Sequence, residues 1–440
     1  METFLIKAAQ LVVALSLLII IHELGHFLWA RVFKIRVEQF YLFFNPWFSL
    51  AKWKPKNSET TYGIGWLPLG GYVKIAGMID ESMDKEQLAA PPKPWEFRSK
   101  PAWQRFFVMI GGVLNNFILA FIIYTGIALY WGERTIPFQN AYEGMDFVPE
   151  AQALGFRNGD ILLTADGKTI DATNRTAVLD MFEANEVKVL RNHKDTVSIH
   201  LPSNALMTLP QDRQPLAFRL PVFVKQVVPG EPAAKAGVLE GDRIIAVGDS
   251  LTPSYTELVP ALQAYGGKPV TIKVLRGNKT LSLQATPTEG GKLGFGLQAP
   301  DEVFEWQTTR YGFFEAIPIG ISTGTGMLTT YVGSLRHLFS KEGASQIGGF
   351  GAIGSLFPPK WDWRTFWEMT AFLSIILGFM NIIPIPALDG GHVMFLLWEM
   401  VTRRKPSDKF LEYAQMAGMF FLLALLIYAN SNDIYRFLIK

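Results

Sequence analysis

Leu11-Val12-Val13-Ala14-Leu15-Ser16-Leu17-Leu18-Ile19-Ile20-Ile21-His22-Glu23-Leu24-Gly25-His26-Phe27-Leu28-Trp29-Ala30 places two imidazoles and a carboxylate in a run whose first eleven residues are apolar apart from Ser16. On a helix, His22 and His26 fall one turn apart on one face and can share a zinc ion. Glu23 is then placed to act on a water at the metal. Ionisable groups are costly in a bilayer, and where they occur they mark function. The run carries a single early lysine, Lys7, and no small-residue cleavage site ahead of the histidines, so it reads as a retained membrane helix and not as a signal peptide.

The rest of the composition agrees with a membrane protein. Of 440 residues, 49% are hydrophobic and 13% aromatic, and the mean hydropathy is +0.18, above that of an ordinary soluble chain. A net charge of +2 gives no reason to expect nucleic acid. The absence of cysteine excludes disulfides and thiolate chemistry. Three further stretches, 106–131, 366–383 and 413–429, reach roughly the 18 residues that cross the hydrocarbon core. The Lys/Arg-rich loops 31–105 and 403–409 are expected in the cytoplasm, and 132–362 and both termini on the opposite side. Segment 313–335 is broken by Pro318 and glycines. A fifth span there would reverse the helix that starts at 366, whose C-terminal end has to reach the depth of His22 and His26. The segment is therefore read as amphipathic, lying on or partly in the outer face.

Within that long outer segment, Gly155-Phe156-Arg157-Asn158-Gly159-Asp160-Ile161-Leu162 recurs as Gly237-Val238-Leu239-Glu240-Gly241-Asp242-Arg243-Ile244. Lys188-Val189-Leu190-Arg191 likewise matches Lys273-Val274-Leu275-Arg276, so two similar units stand in tandem. Each offers a short helix, a G-x-x-x-G-D turn and alternating strands, a pattern that resembles bacterial-type PDZ domains. Such domains bind extended peptides by strand addition. The carboxylate loop of the second copy is expected at 216–220, and the competing reading is a pair of spacers with closed grooves.

Two zinc histidines need a third protein ligand. Of the other histidines, His193, His200 and His337 fall in the outer segment and read as surface residues. The third span ends in Asn381-Ile382-Ile383-Pro384-Ile385-Pro386-Ala387-Leu388-Asp389-Gly390-Gly391-His392. Its prolines break the helix at a depth where irregular backbone has to line protein or a wet cavity. Asp389 arrives there as a carboxylate, or as an N-cap with His392 in the first turn, and His392 stays open as a rival ligand.

Taken together, H-E-x-x-H in the first span, the tandem PDZ-like units and N-x-x-P-x-P-x-L-D-G in the third resemble the site-2-type intramembrane zinc proteases of the bacterial sigma-E-regulating branch, over nearly the whole chain. That resemblance implies one Zn2+ held by His22, His26 and Asp389, with Glu23 catalytic. It implies that Asn381 holds substrate, as does a cytoplasmic membrane-re-entrant β segment whose G-x-G matches Gly63 and Gly65 of Tyr62-Gly63-Ile64-Gly65. Two departures lose a proline: Gly112-Val113-Leu114-Asn115-Asn116 in the second span, where Asn116 matches the family asparagine, and Gly348-Gly349-Phe350 later on.

The expected architecture is a polytopic α-helical membrane protein with four transmembrane helices, the re-entrant β segment and two extracytoplasmic PDZ domains. Its parts are the first span with H-E-x-x-H (1–33), the cytoplasmic loop (34–103), the second span (104–131), PDZ domains at 132–205 and 215–300, the outer amphipathic segment (301–362), the third span with L-D-G (363–400) and the fourth span (410–430). The resemblance implies a bacterial inner-membrane enzyme in the lipid bilayer that cuts single-pass transmembrane substrates, such as anti-sigma factors and remnant signal peptides. The cut follows trimming of the substrate ectodomain, and peptides are expected as PDZ ligands. Two other classes compete: a non-catalytic PDZ scaffold with a structural metal, disfavoured by the absence of cysteine ligands, and an ion-relaying transporter, disfavoured because the spans do not form two matching halves.

Overall fold

The computed structural model describes residues 2–68, 70–78, 91–171, 177–210, 214–335 and 348–439. His337 lies outside them. The chain divides into two compact units, residues 1–132 with 310–440, and Glu133–Thr309.

The first unit is built from helices α1 (Glu2–Val32), α2 (Ala102–Tyr130), α3 (Phe313–Leu335), α4 (Phe350–Ser355), α5 (Trp363–Ile382), α6 (Asp389–Thr402) and α7 (Asp408–Ile439). Among the described residues, four helices are long and apolar enough to cross a membrane, Glu2–Val32, Ala102–Tyr130, Trp363–Ile382 and Lys409–Tyr435, in agreement with the expected number of spans. Close approach of α1 to α2 depends on glycine. A side chain at Gly25 would fall on the Gly111 carbonyl, and one at Gly111 would reach Trp29 and the Gly25 carbonyl. Small residues permit such backbone contact where apolar burial gives little drive between helices.

Segment 313–335, expected as an amphipathic stretch lying on or partly in the outer face, is one 23-residue helix that packs against its neighbours. Gly320 abuts Thr125 and Gly324 abuts Phe121 of α2, while Tyr331 meets Phe372 and Phe379 of α5 edge-on. The glycines that weakened it as a span are what bring it onto α2.

Between α1 and α2 lies a four-stranded sheet of β1 (Val37–Leu42), β2 (Phe44–Trp53), β3 (Thr61–Leu67) and β4 (Tyr72–Ile75), in the order β2-β3-β1-β4. β3 runs parallel to β1 and antiparallel to β2, so both of its edges are used. β4 pairs with β1, antiparallel, with Phe40 opposite Val73 and Tyr41 opposite Tyr72. β2 exposes Trp47, Phe48, Leu50 and Trp53.

The second unit contains two separate apolar cores. Identical ion pairs explain the repeated motif. In the first copy the buried Asp160 takes Arg191 Nε at 2.8 Å and Nη2 at 2.6 Å, and Arg191 also donates to the Gly155 carbonyl. The second repeats this with Asp242 and Arg276 at 2.7 and 2.8 Å, and with the Gly237 carbonyl. The G-D turn and the distant V-L-R strand are thus two ends of one bidentate clamp.

The boundary between the copies differs from the expected 132–205 and 215–300. Leu216–Phe218 pairs antiparallel with Met145–Phe147 and packs on the first core, so the stretch assigned to a carboxylate loop of the second copy is a closing strand of the first. The counterpart in the second copy is Phe295–Leu297, paired with Val224–Val227. His193 and His200 lie exposed on this unit.

Candidate metal centre

His22 and His26 point from one face of α1, both buried. Their partner comes from more than 360 residues later in the chain. After α5 the chain turns through Pro384 and Pro386, Ala387 adopts a left-handed φ of 79°, and α6 begins at Asp389. Leu388, not Asp389, is the N-cap, so the N-cap reading of this carboxylate does not hold. Asp389 Oδ2 lies 3.1 Å from His22 Nε2 and 3.3 Å from His26 Nε2, and the two Nε2 atoms are 3.2 Å apart. Four-coordinate zinc with bonds near 2.0–2.1 Å holds its ligand atoms about 3.3 Å apart, so the trio has the spacing of three corners of a tetrahedron. Asp389 Oδ2 is also buried without a hydrogen-bond partner, an acceptor that suits a cation. His392 lines the same cavity but is not among the grouped ligands.

The imidazoles are oriented from α2. His26 Nδ1 lies 2.8 Å from the Val108 carbonyl, so it carries the proton and donates, leaving Nε2 bare. His22 Nδ1 lies 3.1 Å from the Asn116 amide nitrogen, while Asn116 Oδ1 is buried with no partner. Turning the carboxamide over makes Oδ1 the acceptor of a proton on Nδ1, which satisfies the oxygen and frees His22 Nε2 for metal as well. One turn before Asn116, Gly112 gives the imidazoles room: a Cβ there would stand 2.5 Å from His26 Nε2 and 2.9 Å from His22 Nε2. Gly112 and Asn116 at i and i+4 are the site residues that sequence reasoning treated only as a motif remnant. The lost proline of that motif leaves both in place. α6, which begins with Asp389, is tied to α2 by Arg105 and Glu399 at 2.5 Å.

A cavity of about 580 Å³ opens beside the trio, with Glu23, Asn381, Gln415 and the β4 residues Tyr72 to Ile75 on its wall. Gly63 and Gly65, expected to meet substrate, are not on it. They sit in interior strand β3, where Gly63 makes room for the Tyr41 ring and Gly65 for the Phe44 carbonyl. The strand that lines the cavity is β4, preceded by Gly70 and Gly71, and a Cβ at Gly71 would press on Ile19 and the Tyr41 carbonyl.

The model of peptidase family M50 matches residues 10–425. Over 99% of its length the chain is 28% identical to the regulator of sigma E protease of Haemophilus influenzae and 27% identical to the protease RseP of Yersinia pestis, covering all of both. It is 25% identical to the metalloprotease MmpA of Caulobacter vibrioides, over 99% of the chain and 96% of that relative. With this match across the span that carries both halves of the centre, the chain belongs to peptidase family M50 and is a metalloprotease of the site-2 type.

Proposed function

We propose that this chain is an intramembrane zinc endopeptidase with one Zn2+ held by His22, His26 and Asp389. The observation that carries this is the trio itself: three ligand atoms at 3.1–3.3 Å, no fourth protein ligand grouped with them among the described residues, and Glu23 on the adjoining cavity wall. A zinc site with three protein ligands keeps a position for chemistry, whereas a structural site closes with four, and this disfavours the scaffold reading. When bound, the ion supplies Lewis acidity toward water and toward a peptide carbonyl. Glu23 takes the proton of the attacking water and passes it to the leaving amine. His26 and His22 keep their Nδ1 protons on Val108 and Asn116, so neither imidazole competes for that role.

A transmembrane helix hides its carbonyls in its own hydrogen bonds, so the substrate has to unwind before it is cut. β4, which lines the cavity, can take the unwound backbone as an added strand, and Asn381 can bond what remains. The exposed aromatics of β2 suit a segment dipping into the membrane interface from the cytoplasmic side.

In this reading the site lies near the cytoplasmic face of a bacterial inner membrane, with both termini and the tandem repeats on the other side, and the Lys/Arg-rich loops support it. The repeats are PDZ domains. In the second, Phe295–Leu297 forms the closing strand beside which a peptide terminus can lie. Substrates are single-pass proteins such as anti-sigma factors, and remnant signal peptides, admitted after another protease has trimmed their ectodomains. Glu23→Gln should abolish cleavage of such a truncated substrate while zinc stays bound. A Glu23→Gln protein that cuts at the wild-type rate would sink this mechanism.

A further inference from the structure

Helix α7 is largely exposed and apolar, as a lipid-facing span should be, yet within 413–429 it carries one carboxamide, Gln415. Gln415 is only 8% exposed and lies on the wall of the cavity beside the metal ligands. It makes no hydrogen bond among the described residues. Its carboxamide therefore turns its hydrogen-bonding capacity toward the cavity, where a bound peptide group can take it up.

Its position is fixed by backbone contact. Gly418, one turn on and on the same face of α7, would drive a side chain into the Pro386 carbonyl, so α7 rests directly on the irregular segment that delivers Asp389. The amide is therefore registered to the reacting centre.

We propose that Gln415 is a substrate-binding residue that hydrogen-bonds the backbone of the unwound peptide next to the scissile bond. This rests on the protease reading above. A peptide added to β4 satisfies its N–H and C=O groups on one side only, and those on the other side, recurring every two residues, face the opposite wall of the cavity. A carboxamide donates and accepts as a peptide group does, and reads no side chain. Asn381 and Gln415 together can serve two such groups, from α5 and α7. Recognition of this kind suits membrane segments, whose side chains are mostly apolar.

The test uses the purified full-length chain loaded with zinc and a truncated single-pass substrate, comparing wild type with Gln415→Met, an apolar residue of similar length, and with Gln415→Asn. Gln415→Met should lower kcat/KM about tenfold, as expected when a substrate peptide group loses its partner in a dry site. Zinc content and Tm should be unchanged. In a Glu23→Gln background, affinity for uncut substrate should fall by a similar factor, and Gln415→Asn should retain part of it. Wild-type kcat/KM and affinity in Gln415→Met would overturn the inference, as would a loss that tracks zinc or Tm. A wild-type chain that cuts no membrane substrate would overturn the protease reading and this inference with it, so the two failures are distinguishable.

Discussion

Gly112→Ala adds one methyl group to the middle of α2, and it should cost the protein its metal. The new carbon would stand 2.5 Å from His26 Nε2, 2.8 Å from His22 Cε1 and 2.9 Å from His22 Nε2. Carbon atoms in contact prefer about 3.5–4.0 Å, so the two rings would have to retreat by roughly 1 Å. Zinc bonds tolerate only about 0.2 Å. The rings cannot simply slide away, because both Nδ1 atoms are tied to α2 itself, through Val108 and Asn116. Loosening one supporting group typically lowers metal affinity 10- to 100-fold, and displacing two ligand atoms should reach at least the upper figure, close to 3 kcal/mol. Chelator competition on purified protein, with zinc counted by mass spectrometry, measures this directly. Gly126→Ala in the same helix is the control: nothing lies within 4 Å of its Cβ, and replacing a mid-helix glycine there should be neutral or stabilise by up to about 1 kcal/mol. A Gly112→Ala protein that binds zinc as tightly as wild type would refute the packing argument.

Other consequences can be checked separately. Asn116→Leu removes the acceptor that sets the His22 tautomer and should weaken zinc binding about 10- to 100-fold. Asn115→Ala, whose amide donates to the Ile21 carbonyl at 3.3 Å, should change it far less. Asp242→Ala should destabilise the second repeat by about 2–3 kcal/mol, read as a lower Tm of the 133–309 fragment, because Arg276 and the Leu239 N–H lose the buried carboxylate that accepts from both. Burial raises the Asp242 carboxyl, but the Arg276 hydrogen bonds and the Leu239 N–H outweigh it and hold the group below the usual carboxylate range. Its stabilising effect is thus complete above the unfolded value of about 4 and is lost as pH falls through the lower folded value. Acid melts of the fragment should show that loss, and Asp242→Ala should lack this part of the pH dependence.

What the sequence revealed follows the range of each signal. His22, Glu23 and His26 are legible because one helical turn is a local relation, and Asp389 because two prolines and a glycine pair mark where a membrane helix breaks. The tandem repeat was visible as spacing, but its cause was not: Asp160 and Arg191 are 31 residues apart, and only the fold shows them as one clamp. For Gly63 and Gly65, glycine in a strand signals close approach without saying of what, and here the neighbours are Tyr41 and Phe44. That β4 is the strand lining the cavity is legible only from the strand order and the fold. The strand at 216–218 was placed in the wrong repeat for a similar reason, since pairing with Met145–Phe147 crosses the whole first copy. Gln415 did leave a trace, one carboxamide in an apolar span, but nothing local ties it to a site built by α1 and α6.

The most direct test is cleavage by purified protein of a truncated single-pass substrate, with the new termini located by mass spectrometry before chelation, after chelation and after zinc is restored. The split centre predicts a cut within the transmembrane segment that disappears with the metal and returns with it. Cleavage that persists in the zinc-free protein, or a zinc-loaded protein that leaves the segment intact, would contradict it.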